Sequence, residues 1–430
     1  MAEHDTPRTE APPSNTEAPP SLKDAAWLKR PETLRVFAAL SGGDIETRAV
    51  GGAVRDALLE RRVLDVDFAT TAVPDKVMAL ARKAGLKAIP TGIAHGTVTV
   101  VADGVSFEVT TLRRDVETFG RHAKVVFTKD WAEDAQRRDF TLNALYAAPD
   151  GAVCDPLGGY ADLVAGRVRF IGEAEARIKE DYLRILRFFR FNAYYGKVPL
   201  DDEGLAACVR QRDGLAQLSA ERVAAELKRL LVAPKALAAV EAVFDFGLLS
   251  DILGSAPRLD RLARLIAIED GAGLEPHAIL RLAALSVFVA EDAPRLAARF
   301  KLSNAEQAML LHGADETFDP ALPEEGAAKR LLYRSGPEDY VVQVLLSWAT
   351  RGARPDDADW QRALSLPARW QAPEFPLRGP DITALGDFKG PEIGAMLRAV
   401  EQQWIDGGFA EDRDQLLARA KLRAKRRAER

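Results

Sequence analysis

The chain has 430 residues, 47% hydrophobic and 29% charged, an ordinary soluble composition long enough for about two to four domains. A net charge of −5 argues against non-specific coating of nucleic acid, and it leaves room for a local basic face. No run is long enough to cross a bilayer, and no signal peptide opens the chain. Cys154 and Cys208 form no CxxC, and the scattered histidines form no HExxH. A cytoplasmic, reducing location is expected, and zinc chemistry is not.

In chain order, residues 1–21 are rich in Pro, Thr, Glu and Ala and read as a disordered tail. Residues 22–148 mix helix and strand. "DAAWLKRPETLRVFAAL" reads as helix, "TRAVGG" as a strand ending in glycines, and "AVRDALLER" as helix. "VLDVDFAT" reads as strand, and "PDKVMALARKAG" as a helix with Pro at its start and Gly at its end. "GTVTVVADGVSFEVTTLR" alternates about a Gly-containing turn and predicts a hairpin. In 149–235, "DPLGGYADLVAGRVRFIG" reads as a turn-and-hairpin unit leading into helices. From 236 to 430 the apolar period is helical. The class expected is α+β: an α/β head, a helical neck, then a helical body and tail.

The chemistry centres on "RRVLDVDFATTA". On a strand, Asp65 and Asp67 point the same way while Val66 and Phe68 point into the core. Two carboxylates so close repel, and both ionise cheaply only with a cation between them. All-oxygen donors suit Mg²⁺. A solvent-facing edge with two acids is the simpler account of this motif alone. Three neighbours argue otherwise. Gly51 and Gly52 let backbone N–H groups approach a phosphate, with Arg55 on the following helix. Glu108 shares a polar strand face with Ser106 and Thr110, and is a candidate third carboxylate. "DAQRRDFTLNALY" puts Arg137, Arg138 and Asp139 on a predicted helix, with Asn143 one turn below. Together these make a nucleoside triphosphate site with an acidic pair for metals.

"IKEDYLRILRFFRF" reads as one helix, with Glu180, Arg184 and Arg187 on one face and Asp181 a turn from Arg184. A carboxylate accepts from an amino group, and a guanidinium donates to a ring nitrogen or carbonyl. C and A present an amino group beside a ring acceptor; G and U present a carbonyl beside a ring N–H. An Asp181/Arg184 pair would accept the first two and leave the others mispaired.

The ordered motifs "VGGAVRD", "LDVDFAT", "RRDFTLNALY", "DPLGGYADL", "EDYLRILRFFRF" and "SAERVAAELKRLL" resemble the class II tRNA nucleotidyltransferase and bacterial poly(A) polymerase family over about residues 30–232. A later stretch, "PLRGPDITALGDFKGPEIGAMLRAV", also looks like the family's C-terminal region. The resemblance implies a DNA polymerase β-like nucleotidyltransferase head. It implies Asp65 and Asp67 as metal ligands with Glu108 as a less secure third, and Gly51, Gly52 and Arg55 at the nucleotide-binding turn. Arg138 and Asp139 would handle ribose and phosphates. Glu180, Asp181, Arg184 and Arg187 would form the base-selecting helix. The segment "RRDVETFGRHAKVVFTKDWAEDAQ" resembles the flexible loop of full CCA-adding members. The activity implied is addition of CCA to the tRNA 3′ end from CTP and ATP with Mg²⁺. The basic run "ARAKLRAKRRAER" is a candidate RNA contact. Two rivals stand beside it: a poly(A) polymerase or A-adding enzyme on the same scaffold, and a non-catalytic RNA-binding relative.

Overall fold

The computed structural model describes residues 18–119 and 122–428. The chain divides into two compact units, one ending at Leu248 and the other beginning at Leu249. Most of the segment expected as a disordered tail lies outside the described residues. Its last residue is held: Ser21 Oγ donates to Gly151 O at 3.3 Å.

The first unit opens with α1 (Pro31–Leu40), β1 (Thr47–Val50), α2 (Gly52–Leu58), β2 (Asp67–Thr70) and α3 (Pro74–Lys83). α1 is shorter than the periodicity predicts because Pro31 starts it, where a missing N–H costs nothing. Strands β3 (Lys87–Gly92), β4 (Thr97–Ala102) and β5 (Val105–Thr111) follow. The β4–β5 hairpin turns on Asp103 and Gly104, both at positive φ (51° and 82°), which matches the twist of the paired strands. β6 (Arg113–Phe119) and β7 (His122–Phe127) form a separate two-stranded ribbon, followed by α4 (Trp131–Gln136). The segment expected as a loop is therefore largely paired strand and helix. The pairs β8 (Tyr146–Ala147) and β9 (Val153–Cys154) complete a seven-stranded sheet in the order β3-β4-β5-β2-β1-β8-β9. Among the described residues only β2 and β5 pair in parallel.

α1 and α3 cover one face of this sheet. There Phe68 meets Phe37 edge-on at 4.9 Å and Phe107 at 5.7 Å. Alternation then sends Asp67, Glu108, Thr97 and Thr110 to the opposite face. That face is apolar at its other end, where Ala69, Leu112, Ala135 and Tyr146 pack together. The sheet thus offers one polar, open corner.

The neck begins with α5 (Gly159–Ala165), a helix where the sequence suggested a hairpin. It forms because it can approach the turn at Thr141 closely: a Cβ on Gly159 would lie 2.1 Å from Thr141 O. The strand-like remnant of the expected hairpin is a single bridge, Phe170 to Phe140. α6 (Ala174–Glu180), α7 (Leu183–Tyr195), α8 (Asp202–Arg210), α9 (Ala220–Leu231) and α10 (Ala236–Asp245) follow. Phe140 lies 4.8 Å from Phe170 and 5.1 Å from Phe191, and Phe170 stacks on Phe188 at 5.5 Å. This aromatic cluster seats α7 against the head. Burial of such rings contributes on the order of 2 kcal/mol each.

The second unit is helical from Leu249 to Ala428, including Leu259–Ala272, Ala278–Ser286 and Glu325–Arg351. The last is broken at Gly336, whose φ of 75° and ψ of 171° lie outside the helix, with Pro337 restarting it. Trp348 stacks on Trp360 at 5.9 Å in one core, and Trp404 gathers Leu377, Ile382 and Val400 in another.

Candidate active site

A cavity of about 520 Å³ opens at the polar corner of the sheet, between head and neck. It is lined by Gly51, Gly52, Arg55, Asp67, Glu108, Arg138, Asp139, Asp181, Arg184 and Arg187, all singled out in the sequence. Asp65 and Glu180 are not part of the lining. Asp65 is exposed just ahead of β2, and its charge acts on Asp67. The ladder starts only at Asp67 because that residue pairs with Val50, the last residue of β1.

The register Phe68↔Val109 sets Asp67 beside Glu108 on neighbouring strands. Asp67 reaches solvent, yet it sits deep among protein atoms. Desolvation first, then the negative charge of Glu108, pushes its pKa up to about 6 against the pull of Arg138. Hard oxygen donors crowded until one resists ionising fit a divalent cation, whose charge would reverse that cost.

Gly51 adopts φ 68°, which a side chain rarely tolerates, and so delivers the chain from β1 into α2 with its backbone bare. Behind it runs a continuous hydrogen-bonded chain. Arg55 Nη1 donates to Asn143 Oδ1 at 2.6 Å, and Asn143 Nδ2 donates to Asp139 Oδ1 at 2.9 Å. Asp139 Oδ2 accepts from Arg187 Nε at 2.9 Å. Arg55 also lies 4.2 Å from the Tyr195 ring centroid. Burial alone would raise the Asp139 pKa, but Arg187, Asn143 and the Phe140 N–H win and hold it well below the usual carboxylate range.

Arg137, Arg138 and Asp139 do not lie on a helix, contrary to the sequence reading. α4 ends at Gln136, and these residues form the turn beyond it. Two buried anchors hold that turn open. Asp134, fully buried, accepts from Arg137 Nε at 2.8 Å and Arg138 Nη2 at 2.9 Å, and also from Tyr146 Oη–H at 2.8 Å. Arg177 donates to the carbonyls of Arg137 and Arg138.

The segment expected to select the base is likewise not one helix. α6 stops at Glu180, and Asp181 is extended (φ −156°, ψ 104°) before α7 begins. The break frees Asp181 to accept from Leu183 N–H at 3.2 Å and from Arg222 Nη2 at 2.6 Å. Glu180, outside the cavity lining, accepts from Arg184, whose Nη1 also donates to Arg177 O at 2.6 Å. Arg184 and Asp181 thus enter the cavity with fixed orientation.

Sequence reasoning left out several lining residues: Thr97, Arg113, Arg190 and Phe191. Arg190 and Phe191 were legible from the three- and four-residue spacing to Arg187. Asp134 was legible as an acid three and four residues before two arginines. Arg222 falls within a motif already singled out, "SAERVAAELKRLL", but nothing local points to its contact with Asp181, and Arg177 carries no local signal.

Residues 47–169 match the family model described as poly A polymerase head domain, and 198–262 that of a probable RNA and SrmB-binding site of polymerase A. A mitochondrial CCA tRNA nucleotidyltransferase 1 from mouse is 36% identical over 87% of this chain and 86% of its own length. A CCA-adding enzyme from Lactobacillus gasseri is 30% identical over 87% of this chain and 92% of its own length. The crystal structure of the Bacillus stearothermophilus CCA-adding enzyme with CTP superposes with a TM-score of 0.71 at 30% identity, covering 93% and 99% of the two chains. Identity sustained over nearly the full length of these relatives, on a shared fold, means that the chain belongs to the CCA-adding tRNA nucleotidyltransferase family.

Proposed function

We propose that the protein adds CCA to the 3′ end of tRNA, without a nucleic-acid template, using CTP and then ATP. One observation carries the reading: Asp67 and Glu108 line the same cavity as the Asp181/Arg184 pair, so reacting acids and base reader serve one nucleotide. The names of the relatives and the CTP-bound structure agree with it.

Arg138, Arg137 and the bare Gly51–Gly52 backbone hold the triphosphate, and Asp139 and Asn143 orient the ribose. Asp181 accepts from the exocyclic amino group of C or A, and Arg184 donates to the ring acceptor beside it. G or U would place a donor against the guanidinium and a carbonyl against the carboxylate. Asp65 and Asp67, with Glu108 as the candidate third carboxylate, would hold Mg²⁺, and the ion would supply activation of the tRNA 3′ hydroxyl and charge neutralisation for the departing pyrophosphate. The helical domains (149–235 and 236–430), with the basic helix Arg413–Ala428, hold the RNA backbone by charge and shape. We place the protein in the cytoplasm; among the described residues no helix is long and apolar enough to cross a membrane.

The test is incubation with tRNA lacking its 3′ end and CTP or ATP, singly and together. A three-residue product requiring both nucleotides is expected. A long A tail from ATP alone would instead identify a poly(A) polymerase, and no product would leave an RNA-binding relative.

A further inference from the structure

Arg177 lines no part of the cavity, yet its guanidinium touches both of the walls that do. It is 9% exposed and sits in α6. Its Nη2 donates to Arg138 O at 2.6 Å and to Arg137 O, carbonyls left over where α4 ends. Its Nη1 donates to Glu180 Oε1 at 2.7 Å, and its own carbonyl accepts from Arg184 Nη1 at 2.6 Å. Its Nε is buried without a partner. What the arrangement achieves is a link. One arm fixes the turn carrying Arg137, Arg138 and Asp139; the other fixes the Glu180–Arg184 pair.

We propose that Arg177 is a positioning residue for nucleotide selection, coupling the phosphate side of the cavity to its base-reading side. The proposal rests on the CCA-adding reading. Arg184 is held ready to read the base, and Arg177 holds the phosphate-side turn in register with it. Lysine cannot substitute, because a single ammonium cannot span two carbonyls and a carboxylate in the plane of a fork.

The test compares wild type, R177K and E180Q on tRNA lacking CCA, with each of the four triphosphates, alongside thermal melting. R177K is expected to raise KM for CTP about tenfold and to lower the kcat/KM preference for CTP over UTP about tenfold. Its kcat should stay within about threefold. E180Q, which removes the charge from the base-side arm, should lower the preference while raising KM less than R177K does. The double variant should show a preference no worse than R177K alone. If R177K does not fold, R177Q gives the same two readouts. An R177K that melts earlier but keeps wild-type KM and preference overturns the proposal. So does one in which KM rises while the preference holds. A wild-type chain inert with every triphosphate overturns the activity first and this role with it, whereas an active wild type isolates the role of Arg177.

Discussion

Both units of this protein bury charge, and they use it differently. In the second unit, Arg261 is fully buried and donates to Val287 O at 3.0 Å and Gly313 O at 2.9 Å, tying loops together. Glu269 and Arg281 form a buried pair at 2.7 Å inside the same helical stack. In the first unit, Asp134, Asp139, Arg177 and Glu226 are also buried, but each holds an arginine, or the backbone of one, that reaches a cavity. Buried charge alone therefore does not mark a site. What marks it is convergence on an open polar corner, where charges are held but not consumed by packing.

The largest test of that difference is D65N with D67N. Incorporation should fall by more than about 10³-fold in single-turnover assays while the melting temperature holds or rises, since a crowded carboxylate pair is relieved. A variant that unfolds instead would make the pair structural. In the second unit, R281M strands Glu269 and should cost about 3–5 kcal/mol in denaturant unfolding. Its preference for CTP over UTP should remain that of the wild type. Adding E269L should recover most of the loss, and a change in preference would erase the distinction between the units. Y146F removes one donor from Asp134 and loosens Arg138. Triphosphate KM should rise about fivefold with base preference intact. The smallest effect concerns pH. The raised Asp67 pKa means the fold is favoured while this carboxyl keeps its proton, and that contribution is lost as pH rises through about 6. A bound divalent ion opposes the loss. Stabilisation by Mg²⁺ in thermal melts should therefore be present at pH 8 and vanish below about pH 6. Equal stabilisation at both would remove Asp67 from the ion's ligands.

The sequence alone determined what is local. Alternation put Asp67 and Glu108 on the polar side of their strands, an Asp-Gly pair placed the hairpin, and helical period announced the second half of the chain. It also determined which motifs are present and in what order. It misjudged where helices stop. Arg137 to Asp139 leave α4, and Asp181 interrupts α6 and α7, because the partners that stabilise those breaks come from distant parts of the chain. Arg177 lies 39 residues from the Arg138 carbonyl it holds, and Arg222 lies 41 residues from Asp181. Periodicity reports a residue's neighbours at three and four positions, so it extends a helix through any compatible stretch. Only tertiary structure decides whether a buried guanidinium or a closely approaching glycine makes the non-helical backbone cheaper. Here it did so at the two places where side chains had to be turned into the cavity.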